Sequence, residues 1–179
     1  LTATRPDYTA ARKAMIDSQL RTSGVNETFV LERMNAVARE DFVPEQARGT
    51  AYIDRAIPLG DGRYLAAPLF HGAMLEEARP QGDDTLLLVD GGSGYLAALI
   101  KPLVKSVTVI TPAEAIAAKK RGPFSLVLID GAVEHIPASL AKLVADGGRV
   151  VTGLADRGVT RLAIGRKAGD ALALLPLAE

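Results

Sequence analysis

The segment LLLVDGGSGYLAALI, residues 86 to 100, constrains the fold of this chain more than any other. An apolar run ends at Asp90, a glycine-rich turn follows, and the apolar spacing then becomes helical. This is the order of a strand, a tight turn and a helix. Glycine lacks a Cβ, so the turn can approach a ligand closely, with its N–H groups and the positive end of the helix directed toward it. Nucleotide-like cofactors bind at such turns in doubly wound α/β folds.

Strand and helix patterns alternate after this turn. The strands are predicted at 85–89, 106–110, 124–130, 148–153 and 160–166, the last of them antiparallel. Helices are predicted from about residue 94 to Pro102, at 112–120 behind a capping box formed by Thr111 and Glu114, and at 137–144. Alternation of this kind predicts a mainly parallel sheet with helices on both faces.

The part of the chain before this α/β region reads differently. Helices are predicted at 9–21, at 26–37 with Asn26 as the N-cap, and at 69–79, and an irregular, partly extended connection is predicted at 38–68. We therefore expect residues 1–79 to form a helical and irregular segment that packs on a core of residues 80–179, in one compact domain overall.

Composition excludes several functions. Lys plus Arg and Asp plus Glu both number 21, and this balance argues against a nucleic-acid partner. The chain has no cysteine and only two histidines, far apart, so no metal site is predicted. No apolar run is long enough to span a membrane, and no signal-peptide pattern is present, so we expect a cytoplasmic protein without a membrane partner.

Four groups of motifs resemble one known family in their order along the chain. They are MIDSQLR at 15–21 with VAREDFVP at 37–44, AYID at 51–54 with PLG at 58–60, GGSGY at 91–95, and FSLVLIDGAVEHIPASLAKLVADGGRVV at 124–151. Together they cover roughly residues 13 to 153, and they resemble protein-L-isoaspartate O-methyltransferases.

The resemblance implies a Rossmann-like, S-adenosylmethionine-dependent methyltransferase fold with an N-terminal helical extension. It implies an enzyme that methylates isoaspartyl carboxylates of damaged proteins or peptides. Substrate contacts are expected at Asp54 and Pro68. The expected cofactor-binding residues are Asp90, Gly91, Gly92, Ser93, Gly94, Tyr95, Asp130 and Gly131.

The chain also departs from the family pattern. Ala66 stands where the family has a serine near the site of methyl transfer, so no catalytic residue is predicted. Leu88 and Asp90 replace an acid and a glycine of the cofactor loop, and Thr111 stands where an acid holds the ribose. The connection of residues 111–123 is shorter than the family's. Asp90 would repel the cofactor's carboxylate or accept a hydrogen bond from its ammonium group.

Several polar residues admit two interpretations. Asp130 either faces the pocket or caps the turn with Gly131, and Asp54 either contacts substrate or serves a turn. Arg63 and Tyr64 either bind an anion or lie in solvent, and His71 and His135 are either acid/base groups or ordinary helix-face and surface residues.

An acid/base pair is not required for this reaction, because a carboxylate acceptor is already ionised at neutral pH. The alternative to an active methyltransferase is an inactive paralogue that keeps the fold as a binding or scaffolding module. A third possibility is a pocket altered to take another small molecule.

Overall fold

Residues 6–79 are helical and irregular. The computed structural model describes residues 6–117 and 121–177. Helix α1 (Thr9–Met15) continues through a π-helical turn and a 3-10 turn to Ser23, and α2 spans Thr28–Ala36. Two 3-10 turns follow at Arg39–Phe42 and Glu45–Thr50, and α3 spans Pro68–Ala78. The predicted helices are confirmed, and the segment predicted as irregular also contains an antiparallel hairpin of β1 (Ile57–Gly60) and β2 (Arg63–Leu65).

The predicted N-cap of α2 is wrong. Glu27, not Asn26, occupies the N-cap position, and no side chain of α2 caps the helix. Instead, the backbone N–H groups of Asn26 and Glu27 both donate to Oε1 of Glu76 on α3, at 2.7 and 2.8 Å. A carboxylate from a neighbouring helix therefore satisfies these donors, which local sequence could not reveal.

A six-stranded sheet forms the centre of the molecule. Its strands are β3 (Thr85–Val89), β4 (Ser106–Ile110), β5 (Phe124–Val133), β6 (Val144–Asp156), β7 (Val159–Ala168) and β8 (Ala171–Pro176). Their order is β4-β3-β5-β6-β7-β8. The first four are mutually parallel, and β7 and β8 are added antiparallel. The predicted α/β, mainly parallel sheet and the antiparallel strand near residue 160 are thus confirmed, whereas β8 was not predicted.

Short helices connect the parallel strands. Helix α4 spans Tyr95–Ile100 and passes into a 3-10 turn that contains Pro102, as predicted. Helix α5 (Pro112–Ile116) begins with the predicted capping box, and the last three residues of the predicted helix, 118–120, lie outside the described residues.

The helix predicted at 137–144 is only one turn long, α6 (Ala138–Ala141). The residues of its predicted last turn pair with the sheet instead. The carbonyl of Leu143 accepts a hydrogen bond from the Phe124 N–H at 2.7 Å, and Val144 already pairs with Phe124 as the first residue of β6. Pairing with a neighbouring strand satisfies these backbone groups as well as a longer helix would.

Alternate side chains of β3 enter two different cores. Leu86 and Leu88 belong to a cluster that includes residues of α1, α2, α3 and α4, whereas Leu87 and Val89 pack with residues of α5, of β5 and of the α6 region on the other face. The sheet is therefore covered on both faces, as a doubly wound fold requires. Residues before position 80 share the first cluster with β3, β5 and β6; the boundary at 79/80 stays a prediction.

A buried ion pair joins α3, β3 and β6 at the amino ends of the strands. The guanidinium of Arg149 binds both carboxylate oxygens of Asp84, at 2.7 and 3.2 Å, and its Nε donates to the carbonyl of Ala78 at 2.6 Å. Burial alone would raise the pKa of the Asp84 carboxyl. Hydrogen bonds from Arg149, the Gln81 N–H and Ser125 outweigh it and hold this pKa below its ordinary value.

Candidate functional site

The glycine turn packs against the end of the neighbouring strand. A Cβ on Gly91 would lie 2.8 Å from the backbone carbonyl oxygen of Asp130. Asp130 lies in β5 between Ile129 and Ala132, where the register with β6 shifts. Gly92 and Gly94 have positive φ angles of 101° and 75°, which other residues rarely adopt. The structure therefore brings the predicted cofactor residues of the turn together with Asp130 at the edge of the sheet where such folds bind ligands.

Asp90 lies at this edge of the sheet, and one of its carboxylate oxygens has no hydrogen-bond partner. Its backbone N–H donates to the Ile110 carbonyl at 2.9 Å, which ties the turn to β4. Its carboxylate Oδ1 is buried and has no hydrogen-bond partner. Buried polar atoms are normally hydrogen-bonded, so an orphaned carboxylate oxygen at the turn marks a place for a donor or a cation.

Arg63 reaches the same turn from the β1–β2 hairpin. Its exposed side chain donates from Nη1 to the Gly92 carbonyl at 3.3 Å. A Cβ on Gly92 would lie 2.7 Å from Cδ of Arg63, so the flexible Arg63 side chain would have to shift, whereas the φ of 101° favours glycine itself. From the sequence, Arg63 either binds an anion or lies in solvent; in the structure its exposed side chain contacts the glycine turn. Tyr64 beside it is 57% exposed.

Glu114 is the acid of the capping box that follows β4, and its carboxylate is already engaged. Thr111 Oγ1 accepts from the Glu114 N–H at 3.2 Å, and Glu114 Oε1 accepts from the Thr111 N–H at 3.3 Å. The other Glu114 oxygen lies 3.8 Å from Arg121. Both side chains of the box therefore serve the start of α5.

Ser93 and Tyr95 support the turn from within. The Tyr95 N–H donates to Ser93 Oγ at 3.1 Å, which orders the backbone between them. The Tyr95 ring is fully buried against His71 and Phe42, at centroid distances of 5.5 Å each. Burial raises the pKa of the Tyr95 phenol, and the nearby charge of Arg39 only partly opposes it, so the phenol is neutral.

Asp130 is paired with a buried histidine that the sequence did not connect to it. Nε2 of His71 on α3 lies 2.8 Å from Asp130 Oδ1. The two side chains are 0% and 6% exposed. The two interpretations made from the sequence, facing the pocket or capping the turn with Gly131, did not include this contact with His71. The other ring nitrogen, His71 Nδ1, is buried without a partner.

Arg39 is a buried cation that sequence reasoning missed. Its Nη2 donates to the Ala66 carbonyl at 2.7 Å, its Nε donates to the Ala51 carbonyl, and its guanidinium lies 5.1 Å from the Tyr95 ring centroid. Burial lowers the pKa of Arg39, and Tyr95, Tyr52 and Asp130 oppose that shift. The available signal was an arginine within the VAREDFVP motif of the irregular segment. Arg39 fixes the backbone at Ala66, the position of the missing serine.

A second polar group lies behind Arg39. The Tyr52 hydroxyl donates to Glu40 and accepts from Arg12 Nε at 2.8 Å and from the Arg39 N–H at 3.0 Å. Burial, followed by the hydrogen bond to Glu40, raises the pKa of Tyr52 to about 12. This group ties α1 to the segment that carries Arg39.

A groove of about 540 Å³ opens beside the start of α3. Asp54 lies exposed in a turn at its wall. Pro68 is buried at the first position of α3, and its neighbours Ala67 and Leu69 line the groove. The structure therefore brings the predicted substrate region to one surface, although Pro68 itself faces inward.

The remaining polar candidates are separate from this edge. His135 and Glu134 are exposed beyond the end of β5. Within residues 6–117 and 121–177, no three His, Cys, Asp or Glu side chains are grouped closely enough to hold a metal ion. No helix in those ranges is long and apolar enough to cross a membrane.

Known structures share this architecture. A protein described as a protein-L-isoaspartate O-methyltransferase from Plasmodium falciparum, solved with S-adenosyl-L-homocysteine, superposes with a TM-score of 0.73. The match is 16% identical and covers 97% of this chain and 95% of that one. A second structure of a protein-L-isoaspartate O-methyltransferase gives a TM-score of 0.74 at 16% identity. The fold is therefore that of the α/β methyltransferases.

Sequence comparison identifies the family within that class. The model of the protein-L-isoaspartate(D-aspartate) O-methyltransferase family matches residues 10–118. A protein-L-isoaspartate O-methyltransferase of Roseiflexus castenholzii is 31% identical over 93% of this chain and 87% of its own length. One from Rhodopseudomonas palustris is 31% identical over 87% of this chain and 74% of its own length. The chain belongs to the protein-L-isoaspartate(D-aspartate) O-methyltransferase family.

Proposed function

We propose that this chain transfers a methyl group from S-adenosylmethionine to isoaspartyl carboxylates of damaged proteins or peptides. The observation that carries the proposal is the glycine turn, which packs on the Asp130 carbonyl and leaves Asp90 Oδ1 buried without a partner. Family membership and the S-adenosyl-L-homocysteine bound to the Plasmodium falciparum protein support it.

The residues of the turn fit such a cofactor. The backbone of Gly91, Gly92 and Gly94 allows close approach, and the orphaned oxygen of Asp90 suits an ammonium group. Ser93, Tyr95, Asp130 and Gly131 complete the proposed cofactor site. Of these, Ser93 and the buried Tyr95 ring order the turn. S-adenosylmethionine supplies a methyl group on a positively charged sulfur.

The chain's own part in the reaction is alignment and exclusion of water. A carboxylate acceptor is ionised at neutral pH, so no residue needs to remove a proton from it. The groove beside Asp54 and Ala67 would receive the peptide, and Arg39 would hold the backbone of Ala66, the residue before Ala67. Fixing the two reactants in line supplies most of the rate acceleration expected here.

The proposal extends to partner and location. The expected partner is a protein or peptide that carries isoaspartate, rather than a nucleic acid or a membrane, and the expected location is the cytoplasm. We further propose that residues 1–79 act as the extension that completes the groove on the core of residues 80–179.

Two measurements on the full chain test the function. Calorimetric titration with S-adenosylhomocysteine should give a dissociation constant below the millimolar range. Incubation with S-adenosylmethionine and an isoaspartyl peptide should increase the peptide mass by one methyl group, whereas the same peptide with normal aspartate should remain unmodified. Binding without methyl transfer would favour the inactive binding module, and the absence of heat at millimolar ligand would refute cofactor use.

A further inference from the structure

We infer that this chain has a second ligand site, for a phosphate-bearing anion, at the edge of the sheet opposite the glycine turn. The site is a groove of about 690 Å³, which we name the amino-end groove, and it is lined by residues 121–123 and 142–146 together with Ser139 and Lys167. This inference goes beyond the proposed function and does not depend on it.

The strands place the amino-end groove away from the cofactor edge. Pro123 directly precedes β5, and Val144 is the first residue of β6. Strand β7 runs antiparallel to β6, so Lys167, near its carboxyl end, reaches the same edge. The glycine turn follows the carboxyl end of β3, which is parallel to β5. A ligand in the amino-end groove therefore leaves the cofactor position open, and the groove has the size of a small-molecule site, about 300–1,000 Å³.

Positive charge dominates the lining of the amino-end groove. Three of its side chains are cationic and one is a carboxylate, namely Arg121, Lys142 and Lys167 against Asp146. The whole chain has 21 cationic and 21 acidic residues, so this excess is a property of the groove.

The groove beside α3 has the opposite balance, with three carboxylates and one arginine. They are Asp54, Glu76, Glu77 and Arg161. The two grooves of this chain therefore attract ligands of opposite charge, and an anion is favoured in the amino-end groove.

The protein itself does little to neutralise these cations. The half-buried Lys167 donates from Nζ to the Ala141 carbonyl at 2.9 Å, which leaves two of its three N–H groups for other acceptors. Within residues 6–117 and 121–177, neither Lys142 nor Lys167 forms an ion pair. Arg121 lies 3.8 Å from Glu114, and both side chains are exposed, so this pair is weak.

The one acid of the lining is already engaged by the backbone. Oδ1 of Asp146 accepts a hydrogen bond from the Gly169 N–H at 3.0 Å, which joins the start of β6 to the turn after β7. The carboxylate thus has a structural contact of its own, and an anion from solution would be the counter-ion of the lysines.

The number of cations indicates the kind of anion. A phosphate or diphosphate group carries several charges and several acceptor oxygens, so it can accept charge-assisted hydrogen bonds from more than one of these side chains. A single carboxylate offers one charge. The apolar side chains of Pro123 and Leu143 line the same groove and would contact an organic group attached to the phosphate. The ligand chemistry is therefore a phosphate or diphosphate, either free or carried by a small organic molecule.

Calorimetric titration of the full chain tests this site with three probes: inorganic pyrophosphate, uridine 5′-diphosphate and uridine. Both diphosphates should bind and uridine should not. Raising the NaCl concentration from about 20 mM to about 200 mM should weaken both diphosphates, because the Debye length falls. Tighter binding of uridine diphosphate would identify an organic phosphate as the ligand, and equal binding would identify the free anion. Saturation with S-adenosylhomocysteine should leave both affinities unchanged.

Three variants relate the binding to the lining residues. Lys167→Gln and Lys142→Gln should each weaken pyrophosphate about fivefold, and Asp146→Asn should strengthen it by a smaller factor because it removes a repulsive charge. Lys105→Gln is the matched control, since it removes an exposed lysine just before β4 that does not line the groove. It should leave the affinity unchanged, and thermal unfolding should show that all four variants fold.

Several results would overturn the inference. They are the absence of heat with both diphosphates at millimolar concentration, equal binding of uridine and its diphosphate, competition by S-adenosylhomocysteine, and a loss in Lys105→Gln as large as in Lys167→Gln. If the chain bound pyrophosphate as described but not S-adenosylhomocysteine, the inference would stand and the proposed function would fail.

Discussion

Nε2 of His71 lies 2.8 Å from Oδ1 of Asp130, and this buried pair joins α3 to the end of β5. The same Asp130 presents its backbone carbonyl to Gly91. The contact between histidine and carboxylate therefore fixes the surface on which the glycine turn rests, and its loss should affect both stability and the shape of the turn.

Replacement of His71 tests this pair. His71→Leu should lower the free energy of unfolding by about 3 kcal/mol, because it leaves the Asp130 carboxylate buried without its hydrogen-bond donor. Urea denaturation followed by circular dichroism measures the change. The double variant His71→Leu/Asp130→Leu removes both partners and should be less destabilised than the sum of the single variants. Strict additivity would show that the two side chains do not interact.

Gly91 and Gly131 make a matched pair of substitutions at one edge of the sheet. Gly91→Ala should lower the free energy of unfolding by about 1–3 kcal/mol, because its Cβ would lie 2.8 Å from the Asp130 carbonyl and the backbone must move. Gly131→Ala meets no atom within 4 Å and should be nearly neutral. Chemical denaturation of both variants checks the contrast. Equal stability of the two would contradict the packing described for the turn.

Asp84 should contribute to acid sensitivity. Its pKa is lower in the folded chain than in the unfolded chain, so the unfolded state binds more protons as the pH falls. Its contribution to the free energy of unfolding is thus present above about pH 4 and is lost as the pH falls further through the lowered folded pKa.

We expect Asp84→Asn to be less stable than the wild type at pH 7 and to lose less stability on acidification. Urea denaturation at several pH values from 7 downward gives both results. Asp83→Asn, next to it but exposed, should follow the wild-type curve. If the free energy of unfolding of Asp84→Asn differed from that of the wild type by the same amount at every pH, Asp84 would not contribute to acid sensitivity.

Ala66→Ser would restore the hydroxyl that the family has at this position. Because Arg39 holds the Ala66 carbonyl at 2.7 Å, the backbone there is fixed, and the new hydroxyl is added one residue before Ala67, which lines the groove. One added hydrogen bond in the transition state, about 1 kcal/mol, would raise kcat on an isoaspartyl peptide about fivefold. The affinity for S-adenosylhomocysteine should not change.

Ala141→Ser is the matched control, since it adds the same hydroxyl to a half-buried alanine of α6, which does not line the groove. It should leave kcat at the wild-type value. If both serine variants behaved alike, position 66 would have no special relation to the acceptor.

The elements of the α/β core could be predicted because their signals are local. The apolar run before Asp90, the capping box at Thr111 and the buried run before Asp130 each give their type within a few residues. The limit of α6 could not be found this way, because Val144 pairs with Phe124, twenty positions earlier. Strand β8 has alternating and mostly exposed residues at the edge of the sheet, where burial gives little signal.

The candidate site likewise contains residues that local patterns predict and contacts that they do not. The residues of the turn were predicted from glycine spacing and from the family resemblance. The pairing of His71 with Asp130 joins residues 59 positions apart, and the contact of Arg63 with Gly92 joins residues 29 positions apart. Such contacts depend on how α3 and the β1–β2 hairpin pack on the sheet, which no local pattern specifies. Arg39 was missed for this reason too, since its burial follows from its contacts with Ala51, Ala66 and Tyr95.

The two halves of the sheet should differ in the order in which they fold. Strands β6, β7 and β8 are antiparallel neighbours joined by tight turns, so their pairing closes only short loops. Strands β3 and β5 pair across the whole of α4, β4 and α5, which costs more chain entropy before any contact forms. We therefore expect the antiparallel strands β6, β7 and β8 to pair early. The pairing of β3 with β5, at the edge that carries the glycine turn, should form late. Ligand binding would then report completion of the fold during refolding.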